Sequence, residues 1–212
     1  LTTAVAEART FTLPARSIAW SATPKTYDTE ADSGFIYTDS SFKAEETVFV
    51  LLNVWESVWN DGLAKRIDEN VRTKLKPALD RARTLGLHVV HIPHLESVGP
   101  VYGYKRHPLV EVLPGEDVLH GDLSNFDAYL KGKGIKQLIY VGYASNICLV
   151  DRDVRPFRLR ELGYRTLLMR DASLAVETKE FPIGTVHEVI MTLYDAAGGT
   201  ISVDGFLAAH VE

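Results

Sequence analysis

A single cysteine, Cys148, stands among 212 residues, so no disulfide can form within the chain. A lone thiol is a buried filler, a reactive group or an intermolecular link. No apolar run approaches the ~18 residues of a membrane-crossing helix, and no membrane association is expected. Residues 1–20 lack a charged start followed by an apolar block, so no secretory signal is read and a cytoplasmic, reducing setting is expected. There is also no surplus of positive charge. Lysine and arginine number 23 against 28 aspartates and glutamates, a formal net charge of −5. Neutralising a phosphate backbone needs the opposite balance, so no nucleic-acid partner is expected. A glycine-rich phosphate loop, a Gly-x-Ser-x-Gly elbow and a dinucleotide fingerprint are all missing, which argues against a nucleotide enzyme and a serine hydrolase. No internal repeat and no low-complexity segment is found.

What is present is a globular composition, 46% hydrophobic and 24% charged, sufficient for one well-packed domain. Residues 1–45 differ from the rest. They are rich in Ser, Thr and Asp, with alternating stretches at Thr10–Leu13 and Phe35–Tyr37 that fit short strands. Phe11, Ile18, Trp20, Phe35 and Tyr37 are costly to leave in water. The segment therefore reads as an N-terminal arm lying on the domain or on a partner subunit, with Trp20 and at least one other of its rings buried. Residues 46–212 read as the main domain.

From residue 47 onward strands and helices alternate. Thr47–Val54 is a continuous apolar run, as in a strand buried on both faces. Leu63, Ile67, Val71, Leu75, Leu79 and Ala82 recur at helical spacing over 62–85, and Gly86 ends that helix. Further strands are expected at 87–92, 117–120, 137–142, 165–169 and 200–203. Helices are expected at 124–130, with Ser124 as the cap, at about 146–162, and at 184–196. Pro156 inside the second of these predicts a break near 152–156. The alternation defines an α/β fold, a mostly parallel sheet flanked by helices on both faces. Ligands of such sheets bind beyond the carboxyl ends of the strands. Asn53, His91, His120 and Gly142 all fall at or near those ends.

Cys148 follows the strand ending at Gly142 and falls near the start of the next helix. A helix N-terminus favours thiolate and offers free amides to an oxyanion, so a nucleophilic role competes with that of buried filler. Here the sequence resembles the isochorismatase-like cysteine hydrolases. Gly142-Tyr143-Ala144-Ser145-Asn146-Ile147-Cys148 is similar to their nucleophile segment, Gly, two residues, Ser or Thr, two residues, Cys. Leu162-Gly163-Tyr164-Arg165, Arg170-Asp171-Ala172, Ser124-Asn125-Phe126 and Val50-Leu51-Leu52-Asn53-Val54-Trp55 resemble further family segments in the right order. The resemblance spans about 47–203. It implies a Rossmann-like sheet, a Cys nucleophile acting with an Asp and a Lys, and hydrolysis of a small amide or related compound. It also implies a cis peptide at Tyr143–Ala144 and an oxyanion hole from the amides of Ala144 and Cys148.

Two of the three triad positions are changed. Asn53 stands at the Asp position, and an amide is no general base. His120 stands at the Lys position. Either the site is rebuilt as Cys148, His120 and Asn53, with His120 accepting the thiol proton, or it is dead for hydrolysis and the domain binds a small molecule or a protein partner. Nicotinamidases of the family hold a divalent ion with Asp-x-His and a further His. No Asp-x-His occurs here, although His91 and His94 lie close in sequence, so neither metal nor cofactor is expected. Trp55, Phe126, Tyr143, Tyr104 and Lys105 are candidate contacts to a small, flat or carboxylated amide. Trp59, Tyr102 and Arg106 lie near them in sequence. A homo-oligomer is expected.

Overall fold

Hydrophobic alternation sorts the chain into three layers in a computed structural model, which describes residues 9–21, 29–56, 58–93 and 105–212. The arm supplies Thr10–Ile18 (β1) and Phe35–Lys43 (β2), which pair antiparallel from Thr10 opposite Lys43 to Ile18 opposite Phe35. Thr47–Leu52 (β3) is buried at every position. Asp61–Asn70 (α1), a π-helical turn at Val71–Leu75 and Lys76–Leu85 (α2) form one helical rod, closed by Gly86 at φ 78°. The wide turn falls just before Pro77, which has no N–H to donate back and whose ring would crowd the preceding turn. His88–Ile92 (β4), Asp117–Val118 (β5), Leu123–Gly132 (α3) and Gln137–Tyr143 (β6) follow. Cys148–Asp151 (α4), Pro156–Glu161 (α5), Arg165–Leu174 (β7), Thr185–Ala197 (α6), Thr200–Ile201 (β8) and Val203–Leu207 (α7) complete the order.

The eight strands form one sheet in the order β2-β1-β8-β7-β6-β3-β4-β5. It is parallel from β8 to β5, and only the arm hairpin runs antiparallel. Successive residues of β3 enter opposite cores, as a strand's period of two requires. Phe49 and Leu51 join Leu63, Ile67, Leu75 and Leu79 of the long rod, whereas Val48, Val50 and Leu52 join Phe126, Leu130, Leu159 and Met191. Each fully buried aliphatic or aromatic side chain contributes roughly 1.5–3 kcal/mol, so both faces of β3 must stay dry.

The arm extends the sheet, and its attachment is specific. Arg16 pairs with Thr200 across β1 and β8, and its guanidinium reaches Asp195 at 2.8 Å inside the fold. Phe11 is buried and stacks on Phe42 and against Phe206. Trp20, expected to be buried against the domain or a neighbour, is 46% exposed in this chain, and Phe35 and Tyr37 are exposed beside it. Strand burial here follows the pleat, so an aromatic in the arm is not by itself a core residue.

Three local expectations shift. The cap of α3 is Asp122, whose side chain accepts from the Asn125 amide at 2.8 Å, and Ser124 already lies inside the helix. The expected helix over 146–162 is two short ones, with the break falling at Arg152–Arg155 and Pro156 opening the second. Residue 203 begins α7 rather than ending a strand, with Ser202 as its cap.

Candidate active site

The site is built where β3 and β6 end side by side. Leu52 lies opposite Gly142 in the ladder. Gly142 has φ 137°, and a Cβ there would run into the Leu52 carbonyl. Only glycine allows this approach, which brings the segment after β6 against the residue after β3. That residue, Asn53, takes the left-handed conformation at φ 54°. Asparagine is among the few side-chain-bearing residues that adopt it readily. The Asn53 amide donates to the Ile92 carbonyl at 3.0 Å, and its side chain is buried.

The segment after β6 is fastened at every step. The Tyr143–Ala144 peptide is cis. The Ala144 carbonyl accepts from the amides of Ile147 at 3.2 Å and Leu149 at 3.1 Å. Ser145 is wholly buried, and its hydroxyl meets His187 Nδ1 at 3.2 Å. His187 Nε2 donates to the Arg170 carbonyl at 2.8 Å, which leaves Nδ1 free to accept. Asn146 clamps the chain after β7 twice, accepting from Val176 N at 2.9 Å and donating to Val176 O at 3.0 Å. Because α4 is a single turn, its carbonyls need partners from elsewhere. Tyr194 donates to Leu149 O at 2.8 Å, and Tyr140 donates to Val154 O at 2.8 Å inside the break.

Cys148 opens α4 and is 8% exposed. Burial pushes its thiol above the ordinary value. The nearby Asn53 carboxamide and Ala144 backbone pull it down, as does the charge of Arg152, while Asp151 adds to the rise. The expectation of a thiol held as thiolate by a helix N-terminus is thereby corrected. Four residues of helix carry little aligned dipole, and desolvation outweighs it. Both polar atoms of the Asn53 side chain are buried without a hydrogen-bond partner among the described residues.

The other expected residues divide. Trp55 is buried beside Asn53 and lines with it, His91 and Arg106 a cleft of about 30 Å³, water-sized. That wall is held by pairing of Trp55 with Arg106 and by the Lys105 carbonyl, which accepts from Glu56 N at 2.8 Å. Lys105 itself is exposed, and Tyr104 and His94 lie outside the described residues. Tyr143 has no exposed surface, and its hydroxyl donates to Asn70 Oδ1 at 2.8 Å in the core. Phe126 is likewise fully buried and stacks on Tyr129. His120 is exposed on the turn between β5 and α3. His91 is engaged with Glu116 at 2.8 Å, and Glu116 is held in turn by Arg83 at 2.7 Å. Among the described residues no cluster of three potential metal ligands occurs.

A larger cavity of about 330 Å³ opens between α1 and the chain after β7, lined by Asn60, Arg66, Val176, Lys179, Phe181 and Ile183. Sequence reasoning missed this cavity, the Asn146 clamp and Arg152. For Asn146 the signal was available, since a polar residue within a nucleophile turn must satisfy backbone groups somewhere. Arg152 had no signal beyond lying four residues after the cysteine.

Comparison with known proteins agrees with this architecture. The family model described as the isochorismatase domain matches residues 47–183, and the chain belongs to that family. Among solved structures it is similar to an isochorismatase from Pseudomonas putida KT2440, at 24% identity and a TM-score of 0.59, covering 76% of this chain and 90% of that one. A cysteine hydrolase from Pseudomonas syringae pv. phaseolicola gives 12% identity and a TM-score of 0.64 over 78% and 92% of the two chains. The YcaC gene product of Escherichia coli, described as an octameric hydrolase of unknown specificity, gives 16% identity and a TM-score of 0.55 over 77% and 78%. No curated protein matches the sequence.

Proposed function

We propose that this isochorismatase-family chain is a cysteine-dependent hydrolase of a C–N bond in a small amide or related compound, with Cys148 as nucleophile. The observation that carries the reading is the buried Asn53 carboxamide, which lies near the Cys148 thiol and whose two polar atoms have no hydrogen-bond partner among the described residues. A polar group so placed is costly unless a ligand completes it. His120 accepts the proton. It directly precedes Gly121, and the Arg152 guanidinium, four residues beyond Cys148, rests on Gly121, so the two segments pack together. A thiol that burial keeps protonated needs such an acceptor at the moment of attack.

In the first step sulfur bonds to the carbonyl carbon while His120 takes the thiol proton. The resulting oxyanion is held by the amides of Ala144 and Cys148. The C–N bond then breaks as imidazolium returns the proton to the leaving amine. Water, deprotonated by His120, cleaves the thioester and frees the acid and the thiol. Asn53 orients the carbonyl. Trp55 and Lys105 meet the substrate, whereas Tyr143 and Phe126 support the site from the core. The 330 Å³ cavity beside the clamped Val176 is of a size for a small molecule. The protein assembles as a homo-oligomer.

Amine release from a panel of small aliphatic and aromatic amides tests this. Turnover by the purified chain is expected, with loss in Cys148→Ala and a drop of about 10²-fold or more in His120→Ala. Turnover that survives in Cys148→Ala overturns the mechanism. Saturable binding of the same amides without release by the parent chain establishes the alternative, a family member that binds without hydrolysis.

A further inference from the structure

Cys148 and Asn53 leave the site without a positive charge in contact with the sulfur, and His120 is neutral when it acts as a base. One cation is tied to the nucleophile's own turn: the Arg152 amide donates to the Cys148 carbonyl at 3.2 Å. Arg152 leaves α4 with extended backbone, φ −65° and ψ 147°. Its carbonyl is held by the Arg155 amide at 3.0 Å and by Arg155 Nη1 at 3.2 Å, which fixes the residue in the break ahead of Pro156. From there the guanidinium rests against Gly121. A Cβ on Gly121 would collide with Arg152 Nη2 and stand 3.2 Å from Nε and Cζ. Nη2 is sealed from solvent and has no hydrogen-bond partner among the described residues.

We propose that Arg152 is the charge-supplying positioning residue of this site, its unpaired Nη2 held in reserve on Gly121 to support negative charge at Cys148. The proposal rests on the reading of Cys148 as nucleophile. A buried guanidinium N–H without an acceptor costs free energy at rest, and it is repaid only when an anion forms nearby. The same charge already draws the thiol down against the rise from burial and from Asp151. It acts at a distance through the field, so Arg152 need not touch the reacting atoms. Gly121 is the other half of the device, because any side chain there would displace the guanidinium. The break forced by Pro156 explains the position, since Arg152 lies outside the helical turn that carries Cys148.

Alkylation of Cys148 tests the assignment separately from turnover. Rates with neutral iodoacetamide and anionic iodoacetate are measured from about pH 6 to pH 10 for the parent, Arg152→Met, Arg152→Lys and Gly121→Ala chains. Arg152→Met is expected to move the pH midpoint upward and to lower the iodoacetate-to-iodoacetamide ratio by about three- to tenfold. Arg152→Lys keeps the charge and should retain most of both. Gly121→Ala keeps the arginine but pushes it away, and should shift both readouts as Arg152→Met does. It also serves if Arg152→Met fails to fold. A midpoint and ratio unchanged in Arg152→Met, or in Gly121→Ala when only that variant folds, overturn the inference. A chain that shows these shifts but releases no amine from any amide keeps Arg152 as the cation and removes the hydrolase reading instead.

Discussion

The carboxamide of Asn53 lies close enough to the thiol of Cys148, across the ends of β3 and β6, to favour its ionisation, and neither of its polar atoms has a hydrogen-bond partner among the described residues. Asn53 reaches it through a left-handed residue, and Gly142 lets the two strand ends close on one another. A carboxylate at this position would raise the thiol further by like charge. An amide does the reverse, since its N–H is available to a thiolate and eases ionisation.

Asn53→Leu should therefore push the thiol higher still. Alkylation of Cys148 near neutral pH should slow by about tenfold or more, the worth of one hydrogen bond to a charged group. Thermal stability should move little. The substitution removes an orphaned buried amide, worth ~1–3 kcal/mol, and places a leucine in the left-handed region, which costs ~1–2 kcal/mol. An alkylation rate unchanged at neutral pH would mean that Asn53 does not act on the sulfur.

Much of this architecture was legible in the chain because burial on both faces writes itself as an unbroken apolar run. Thr47–Leu52 could be little else, and Pro156 announced the break that the structure puts at Arg152–Arg155. The positions of Asn53 and Cys148 at strand ends followed from topology alone. The exposed flank was less legible. Trp20 reads as a core residue by composition, yet it falls in the short 3-10 turn Ala19–Ser21 after β1, where no strand or helix period directs its side chain inward. Tyr143 and Phe126 were expected beside the nucleophile but face the interior, Tyr143 because the pleat of β6 directs alternate residues to opposite cores. Arg152 acts through a contact with Gly121 that lies 31 positions back along the chain (152 − 121), beyond any spacing rule.

The one-turn helix α4 depends on Tyr194. Its hydroxyl donates to the Leu149 carbonyl at 2.8 Å, a group that a longer helix would have bonded internally. Tyr194→Phe leaves that carbonyl buried and unpaired, and unfolding in urea should show a loss of ~1–3 kcal/mol. Because Leu149 adjoins the nucleophile, any amide turnover should fall together with stability. A stability equal to the parent's would show that the carbonyl finds another donor.

The arm should be as firmly attached as the core. Arg16 and Asp195 form an ion pair at 2.8 Å with side chains 9% and 0% exposed, and Thr200 adds a hydrogen bond to the same carboxylate at 2.6 Å. Breaking one side of a buried pair strands the other charge. Arg16→Met should cost ~3–5 kcal/mol, and the double variant Arg16→Met with Asp195→Asn should recover part of it. Limited proteolysis of Arg16→Met should cut first within residues 9–43. A parent-like proteolysis pattern together with parent-like stability would show that the pairing of β1 with β8, with Phe11 in the core, holds the arm without the ion pair.

Acid should loosen the wall of the Asn53 cleft. Asp68 on α1 pairs with His107 Nε2 at 3.0 Å and with Arg72 Nε at 2.8 Å, and these partners, Arg72 first, hold its carboxyl down to about 2. His107 belongs to the segment that pairs with Val54 and Trp55, its amide donating to Val54 O at 3.0 Å. The folded-state value lies below the ordinary 3.8, so the unfolded chain binds the proton more readily. The stabilisation is therefore fully present above pH 3.8 and is lost as pH falls through about 2. Midpoints of thermal unfolding followed downward from about pH 5 should drop more steeply across that window in the parent than in Asp68→Asn, which has no charge to lose. Tryptophan fluorescence should report the same loosening, since Trp55 sits in the wall that His107 holds. Parallel acid profiles for the two chains would show that Asp68 contributes nothing through its charge.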